Sequence, residues 1–358
     1  MSANLKYKLG PSDPATEPPI VSVIVPARNE EASLGSCLNS LICQSGVDFE
    51  IIVVDDHSTD RTHEIARSFA APVRVIEAAP LAPGWTGKNN AVASGARIAR
   101  GQWLLFTDAD TVHLPGSLAR SLQEAMREKA AALSYSPEQI VESVWEKAVM
   151  PVIFAELTAT FRPSQVSDPR SPAVAANGQY LLITREAYDA VGGHAAVRGD
   201  LLEDVALARL VKRSGRKIFF RFSADAVRTR MYRTFGQLRE GWTKNLALLF
   251  PSPFRLAVLR MLEFALIAVS LATAATSTIR GHLRPAAVAG AMTLGLYFFL
   301  LARIRRAHFS WDANLLSFFG LPFFSYLLLR SKIFHQRGGV SWKGRTYSAT
   351  AKLLVSGS

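Results

Sequence analysis

The amino-acid sequence predicts an α/β fold with a mostly parallel sheet, followed by a C-terminal domain of membrane helices. Up to about Arg255, short apolar runs alternate with charged stretches of helical length, a pattern typical of strands joined by crossover helices. Beyond it, long apolar runs are separated by Arg-rich joints. We therefore divide the chain into a polar tail (1–19), an α/β domain (20–250), membrane or interfacial helices (251–335) and a basic tail (336–358).

Four strands are predicted in the first part of the chain, each separated from the next by a helix. They are Val21 to Val25, Ile51 to Val54, Val73 to Ile76 and a run beginning at Trp103. All but the third end in polar residues, P-A-R-N-E, D-D-H-S-T-D and D-A-D. Because parallel strands present their carboxyl ends at one edge, these segments are expected to converge there. No G-x-G-x-x-G follows the first strand, and G-W-T-G-K-N lacks P-loop spacing, so neither nucleotide motif is indicated.

Two acids follow the fourth strand. In an extended segment, residues two apart project to the same side, so Asp108 and Asp110 are able to face one ligand. Mg²⁺ or Mn²⁺ is commonly held by one or two carboxylates together with substrate phosphates. A lone D-x-D is more often a strand end with solvated acids, so this motif indicates a metal site only if other motifs in the chain support one.

The second half of the α/β domain contains further candidate elements. Ile140 to Phe161 carries a helical apolar stripe, which indicates either a helix packed on the sheet or a membrane-surface helix. Asn177 to Thr184 has a strand-like pattern, and Gly192-Gly193 then breaks the chain. Glu203 and Asp204 begin a helix that runs to Arg213. Two acids at the start of a helix are also explained by their favourable interaction with the helix dipole, without any catalytic role.

The remaining chain is predicted to contact the membrane. Arg233 to Phe250 is amphipathic and indicates an interfacial helix. Leu256 to Ile279 is long enough to span a bilayer, and Pro285 to Ala302 is just long enough. Ala313 to Leu329 is marginal, and we expect Gly320 and Pro322 to interrupt it. We therefore predict that this segment is re-entrant or interfacial and leaves the tail in the cytosol.

The charge distribution and the two cysteines indicate the kind of partner and the cellular compartment. The net charge is +12, but the basic clusters flank hydrophobic segments, which favours anionic lipid headgroups over nucleic acid. In the tail, Trp342, Lys343 and Arg345 indicate an interface anchor or a clamp on phosphates. Cys37 and Cys43 show no metal-binding or redox spacing and are expected to be reduced thiols in a cytosolic domain. The polar, Pro-rich N-terminus does not predict a signal peptide.

Five motifs taken in order resemble family-2 glycosyltransferases of the GT-A fold. They are V-S-V-I-V-P-A-R-N-E-E, V-V-D-D-H-S-T-D, F-T-D-A-D-T, G-G-H and L-L-E-D-V. The segments P-G-W-T-G-K-N-N-A and V-S-W-K-G-R-T-Y are more narrowly similar to the membrane-bound branch associated with hopanoid and carotenoid pathways. The Q-x-x-R-W motif of processive synthases occurs only with two extra residues before Trp242, which counts against a polysaccharide synthase.

The resemblance implies a role for each matching residue. The nucleotide sugar would be bound by Pro26, Ala27, Arg28, Glu30, Asp55, Asp56, Lys88 and Asp108. Asp56, with Asp55 behind it, would hold the base, and Lys88 would approach the ribose or diphosphate. Asp110, with Asp108, would bind Mg²⁺ or Mn²⁺. Glu203 and Asp204 match the acidic pair that supplies the catalytic base, with Asp204 preferred, and Gly192, Gly193 and Trp242 would lie on the acceptor side.

These residue types suit a single-displacement sugar transfer. A metal ion stabilises the leaving diphosphate, and a carboxylate on the opposite face removes the proton of the acceptor hydroxyl. We therefore predict an inverting, metal-dependent glycosyltransferase of the inner membrane. Its catalytic domain would be cytosolic, and it would move one sugar from a nucleotide-diphosphate sugar to a lipid or isoprenoid acceptor. A processive polysaccharide synthase and a non-catalytic sugar-nucleotide-binding membrane scaffold remain as alternatives.

Overall fold

The computed structural model of the chain describes residues 19–342 and 344–347. Its strands are β1 (Val21–Ala27), β2 (Phe49–Asp55), β3 (Val73–Glu77), β4 (Trp103–Phe106), β5 (Thr111–His113), β6 (Ala132–Ser136), β7 (Glu138–Gln139), β8 (Leu181–Thr184), β9 (Ile218–Phe222), β10 (Val227–Thr229), β11 (Val340–Trp342) and β12 (Arg345–Tyr347). The helices of the α/β part are α1 (Leu34–Ile42), α2 (Thr62–Arg67), α3 (Gly87–Ile98), α4 (Ser117–Arg127), α5 (Val144–Thr160), α6 (Pro163–Ser167), α7 (Arg185–Ala190), α8 (Gly193–Ala196), α9 (Glu203–Arg213) and α10 (Phe235–Leu249). The long C-terminal helices are α11 (Pro253–Ile279), α12 (Leu283–Ile304) and α13 (Trp311–Arg337).

A seven-stranded sheet in the order β3-β2-β1-β4-β8-β6-β9 forms the centre of the α/β part. Strands β1 to β4 pair in parallel, β8 is antiparallel to both of its neighbours, and β6 pairs in parallel with β9. This confirms the predicted α/β class with a mostly parallel sheet. Since β1 lies between β2 and β4, the polar segments after these three strands meet at one edge.

Burial on both faces explains why β1 has apolar side chains at successive positions from Val23 to Val25. Val21, Val23 and Val25 pack into the core that contains α1, whereas Ile24 packs into the core that contains α3. All four side chains are fully buried. A strand covered by helices on both sides needs apolar residues at successive positions, as its sequence shows.

Helix α13 is continuous for 27 residues, so the predicted interruption at Gly320 and Pro322 is wrong. Gly320 faces the backbone of Ala148 in α5, and a Cβ there would overlap the carbonyl group of Ala148. Its missing side chain therefore permits close packing of two helices instead of a break. By length and composition, three helices in the described part of the chain are apolar enough to cross a membrane: α11, α12 and α13.

Helix α5 packs mainly against α13, and not on the sheet as one of the two sequence interpretations proposed. Val149, Val152 and Ile153 share a core with Trp242 of α10 and Phe324 of α13. The side chains on both faces of α5 are buried, which explains why its apolar stripe is broad.

Both ends of α13 contact the α/β part. Near its start, Asp312 pairs with Lys147 of α5 at 2.7 Å. Near its end, the hydroxyl of Ser331 donates to the carbonyl of Thr243 in α10 at 2.6 Å. Helices of the α/β part therefore hold α13 near both of its ends.

Four charged side chains join α5, α11 and α12. Glu156 pairs with Arg260 at 3.0 Å and with Arg303 at 2.7 Å. Glu263 pairs with Arg260 at 2.6 Å and with Arg303 at 2.8 Å. Each of the four side chains is less than one-fifth exposed, so the two positive and two negative charges balance within a shielded cluster.

Candidate active site

A polar cavity of about 220 Å³ lies at the carboxyl edge of the sheet. It brings together most of the residues expected from the sequence, namely Pro26, Ala27, Arg28, Glu30, Asp56, Lys88, Asp108, Asp110, Glu203 and Asp204. They come from the ends of β1, β2 and β4 and from the starts of α3 and α9. The convergence expected from parallel strand ends is therefore present in the structure.

Lys88 lies between the two acidic segments of the cavity. Its ammonium is 2.7 Å from Oδ1 of Asp108 and 2.8 Å from Oε1 of Glu203. Burial disfavours its charged form, but Asp108 and Glu203 outweigh that effect and raise the pKa of Lys88 well above its usual value. Lys88 thus stays positively charged and holds the D-A-D segment close to the start of α9.

The side chain of Asp204 is oriented by two backbone amides. The N–H of Gly178 donates to Oδ2 at 2.7 Å, and the N–H of Val205 donates to Oδ1 at 2.8 Å. Burial, followed by the negative charge of Glu203, raises the pKa of Asp204 to about 7. A carboxylate with that pKa is a stronger proton acceptor near neutral pH than an ordinary aspartate.

Glu203 differs from Asp204 although the two are adjacent. Burial pushes the pKa of Glu203 up, but Lys88 and Lys244 outweigh burial and bring it below its ordinary value. Glu203 therefore remains ionised, whereas Asp204 titrates near neutrality. Lys244 was not selected from the sequence, where it lies on the polar face of the amphipathic α10; only packing turns that face toward the cavity.

The carboxylates of Asp108 and Asp110 line the same cavity, and both offer the hard oxygen ligands that Mg²⁺ or Mn²⁺ prefers. Within residues 19–342 and 344–347, no group of three or more His, Cys, Asp or Glu side chains is arranged to hold a metal ion. This donor set fits an ion that is bound by one or two carboxylates and completes its coordination with phosphate and water oxygens.

Four of the expected site residues lie outside the polar cavity, namely Asp55, Gly192, Gly193 and Trp242. Asp55 points away from it, accepting from the hydroxyl of Ser58 at 2.5 Å and lying 3.1 Å from Nδ1 of His63. Gly192 and Gly193 lie at the start of α8, where a Cβ on Gly193 would overlap the ring of Tyr188. The structure thus gives Asp55 a turn-forming contact and gives Gly193 a packing role.

A second, largely apolar cavity of about 150 Å³ adjoins the first. Its walls are aromatic and aliphatic side chains of α5, β9 and α10, including Phe154, Leu157, Phe220 and Trp242. Both cavities are lined by Asp204, which therefore lies on their shared wall. Trp242, which the resemblance placed on the acceptor side, contributes to this apolar wall.

Arg345 was expected in the tail at the membrane surface, but its side chain lines the polar cavity. Its guanidinium forms two bonds with the carboxylate of Asp56, and the Nη2 to Oδ1 distance is 3.0 Å. An interface anchor therefore does not describe this residue.

The chain is similar to known glycosyltransferases in sequence and in fold. The Glycosyl transferase family 2 model matches residues 22–205. The chain is 31% identical over 343 residues to a 4,4'-diaponeurosporenoate glycosyltransferase of Staphylococcus aureus strain MRSA252, covering 92% of this chain and 88% of the relative. A protein of the same name from strain USA300 is 31% identical over 340 residues, with the same two coverages.

A solved structure with the same fold is the mannosyltransferase PcManGT from Pyrobaculum calidifontis, in complex with GDP-Man and Mn²⁺. It superposes with a TM-score of 0.52 at 17% identity, covering 89% of this chain and 87% of that chain. The expected GT-A fold is thereby confirmed, as is the resemblance to the carotenoid-associated branch.

Proposed function

The chain belongs to glycosyltransferase family 2, and from that premise we propose that it transfers one sugar from a nucleotide-diphosphate sugar to a lipid or isoprenoid acceptor. The observation that carries the proposal is the position of Asp204 on the wall shared by a polar and an apolar cavity. A polar, charged donor suits the first cavity, and an apolar alcohol suits the second. The base would then lie where the two substrates meet.

In the proposed reaction, Asp204 removes the proton of the acceptor hydroxyl as that oxygen attacks the anomeric carbon. The bond from the anomeric carbon to the diphosphate oxygen breaks, and the nucleoside diphosphate leaves with the bonding electrons. The proton remains on Asp204 until it exchanges with solvent. General-base assistance of this kind contributes about 10² to 10⁴ in rate.

The neighbouring carboxylate does not act as a nucleophile in this proposal. Glu203 is paired with Lys88 at 2.8 Å and would position that lysine beside the diphosphate. With one base and no covalent intermediate, the displacement is single and inverts the anomeric centre. Mg²⁺ or Mn²⁺ held by Asp110, with Asp108, would neutralise charge on the leaving diphosphate.

The acceptor class rests on the apolar cavity and on its surroundings. The cavity is lined by α5 and α10, which both pack against α13. A 4,4'-diaponeurosporenoate glycosyltransferase, whose name states a carotenoid acceptor, aligns over nearly the whole chain. A hydrophobic acceptor entering from the membrane would reach Asp204 without crossing the polar cavity.

The proposed topology places the α/β domain in the cytosol of a multi-pass inner-membrane protein. Helices α11 and α12 are mostly exposed and would cross outward and back. Helix α13 would not cross, because both of its ends contact the α/β part. It would lie at the membrane surface, which leaves the tail on the cytosolic side as the sequence analysis proposed.

The test uses the full-length protein in detergent with UDP-, GDP- and dTDP-sugars and lipid extract as acceptor. We expect a lipid product carrying one added sugar. Asp204→Asn should abolish transfer while it retains binding of the donor, and Asp168→Asn, a partly exposed acid in the loop after α6, should behave as wild type. Long-chain products would establish the processive alternative, and donor binding without any transfer by the wild-type protein would establish the scaffold alternative.

A further inference from the structure

The C-terminal hairpin reaches into the cavity that would bind the donor. Strands β11 and β12 pair in antiparallel fashion around a turn at Gly344, where φ is +76°, and β11 lies against α10. Arg345 is the first residue of β12, and its side chain lines the polar cavity. A segment that follows α13 thus adds a cation to a site otherwise built from the α/β domain.

The contact between Arg345 and Asp56 is shielded from solvent and specific in geometry. Both terminal nitrogens of the guanidinium bond to the two carboxylate oxygens, with side chains that are 18% and 5% exposed. Two-point pairing of this kind is the strongest arrangement that arginine makes with a carboxylate. The arginine passes over Gly87 at the start of α3, where a Cβ would overlap its Nη1 atom.

This pairing conflicts with the role of Asp56 as the residue that holds the donor base. A nucleotide base held by Asp56 needs at least one carboxylate oxygen that Arg345 already occupies, so binding of the donor must break the two-point pair. The released guanidinium remains tethered by the hairpin inside the cavity, next to Arg28 and Lys88. A cation shielded from water that loses its anionic partner needs a second anionic partner. The diphosphate of the donor is an anion that enters the cavity together with the nucleotide base.

We propose that Arg345 is a donor-binding residue that exchanges Asp56 for the diphosphate when the nucleotide sugar binds. This inference rests on the proposed function, since it requires that the polar cavity take a nucleoside diphosphate. The hairpin of β11 and β12 would then form part of the donor site. Each cycle of donor binding and product release would accordingly move Arg345 between two anionic partners.

The experiment measures binding by calorimetry on the full-length protein in detergent. UDP, GDP and dTDP are tested first, and the one that binds is compared with its nucleoside, which lacks phosphates. The variants are Arg345→Ala and Arg345→Lys, with Arg337→Ala as the control because Arg337 is an exposed arginine at the end of α13.

We expect Arg345→Ala to weaken binding of the diphosphate by about tenfold to a hundredfold, since it removes a charge-assisted contact. The same variant should bind the nucleoside at least as tightly as wild type does, because Arg345 no longer competes for Asp56. Arg345→Lys should lose less affinity for the diphosphate than the alanine variant, and Arg337→Ala should match wild type for both ligands.

Two results would overturn the inference alone, with wild-type binding and transfer intact. One is a diphosphate affinity of Arg345→Ala that equals or exceeds that of wild type. The other is a loss of the same size for the nucleoside and the diphosphate, which would mean that the hairpin only supports the shape of the base pocket. A wild-type protein that binds none of the three diphosphates would instead overturn the proposed function, and this inference with it.

Discussion

The ammonium of Lys88 lies 2.8 Å from Oε1 of Glu203 while the neighbouring Asp204 receives no ion pair among the described contacts. This difference separates the two adjacent acids, because Lys88 keeps Glu203 ionised and Glu203 in turn raises the pKa of Asp204 beyond the effect of burial. In the proposed reaction, Glu203 would therefore position a cation, and Asp204 would be a base suited to neutral pH.

The pH dependence of transfer should reflect Asp204. Its pKa is raised to about 7, so it is mostly protonated below that pH and mostly ionised above it, and only the ionised form would serve as the proposed base. We expect kcat to rise about tenfold per pH unit below 7 and to level off above it. Glu203→Gln removes a charge that raises this pKa, so it should move the rise in activity to lower pH. A pH profile of Glu203→Gln that is unchanged, or shifted to higher pH, would contradict the coupling of the two acids.

Metal dependence should be traced to Asp110. Chelation with EDTA should abolish transfer, and added Mg²⁺ or Mn²⁺ should restore it. Asp110→Ala should lower kcat/KM by about a hundredfold or more and should raise the metal concentration that gives half-maximal rate. Asp225→Ala serves as the control, because Asp225 lies between β9 and β10, does not line the polar cavity and pairs with Arg120 and Arg221. Transfer by Asp110→Ala that persists in EDTA would exclude a metal role for this residue.

Filling the apolar cavity should affect the acceptor and spare the donor. Thr158 of α5 lines this cavity, whereas Thr160 of the same helix is exposed. Thr158→Trp should lower kcat/KM for the lipid acceptor by about tenfold or more while leaving the affinity for the nucleoside diphosphate unchanged, because only the apolar wall is altered. Thr160→Trp should retain wild-type kinetics. Equal effects of the two substitutions would show that the cavity does not take the acceptor.

The shielded charge cluster should be sensitive to the loss of one acid. Glu156 is 9% exposed and pairs with both Arg260 and Arg303. Glu156→Gln leaves two partly buried cations with one carboxylate, which should lower the free energy of unfolding by about 3 to 5 kcal/mol. Thermal denaturation in detergent measures this. Glu186→Gln is the control, since Glu186 is 83% exposed in its pair with Arg216 and should cost about 1 kcal/mol or less. Similar losses for both variants would contradict the structural role of the cluster.

The topology should be visible in cysteine labelling of intact cells, in a background that carries Cys43→Ser. Arg280 follows α11 at the connection to α12, and Arg337 ends α13. A membrane-impermeant thiol reagent added outside should label Arg280→Cys, whereas Arg337→Cys should react only after permeabilisation. Labelling of Arg337→Cys from outside would mean that α13 crosses the membrane.

The α/β class, the family and most of the charged residues around the polar cavity could be predicted from the sequence. These follow from local features: apolar runs of strand length, acids two residues apart after a strand, and an acidic pair at a helix start. Such features involve residues that are close together in the sequence, so they can be recognised without knowledge of how the chain packs. The same local reasoning failed for Gly320 and Pro322, because a glycine that breaks a helix and one that allows two helices to touch are indistinguishable in the sequence.

Which charged groups lie close together depends on the packing of segments that are distant in the sequence. Arg345 and Asp56 are 289 positions apart, and Lys244 enters the cavity because α10 packs against α13. The pKa of Asp204 likewise depends on its burial and on the distance to charges from other elements. Contacts of this kind are set by how distant segments pack, and electrostatic interactions depend on separation and on access to water, neither of which a linear pattern specifies.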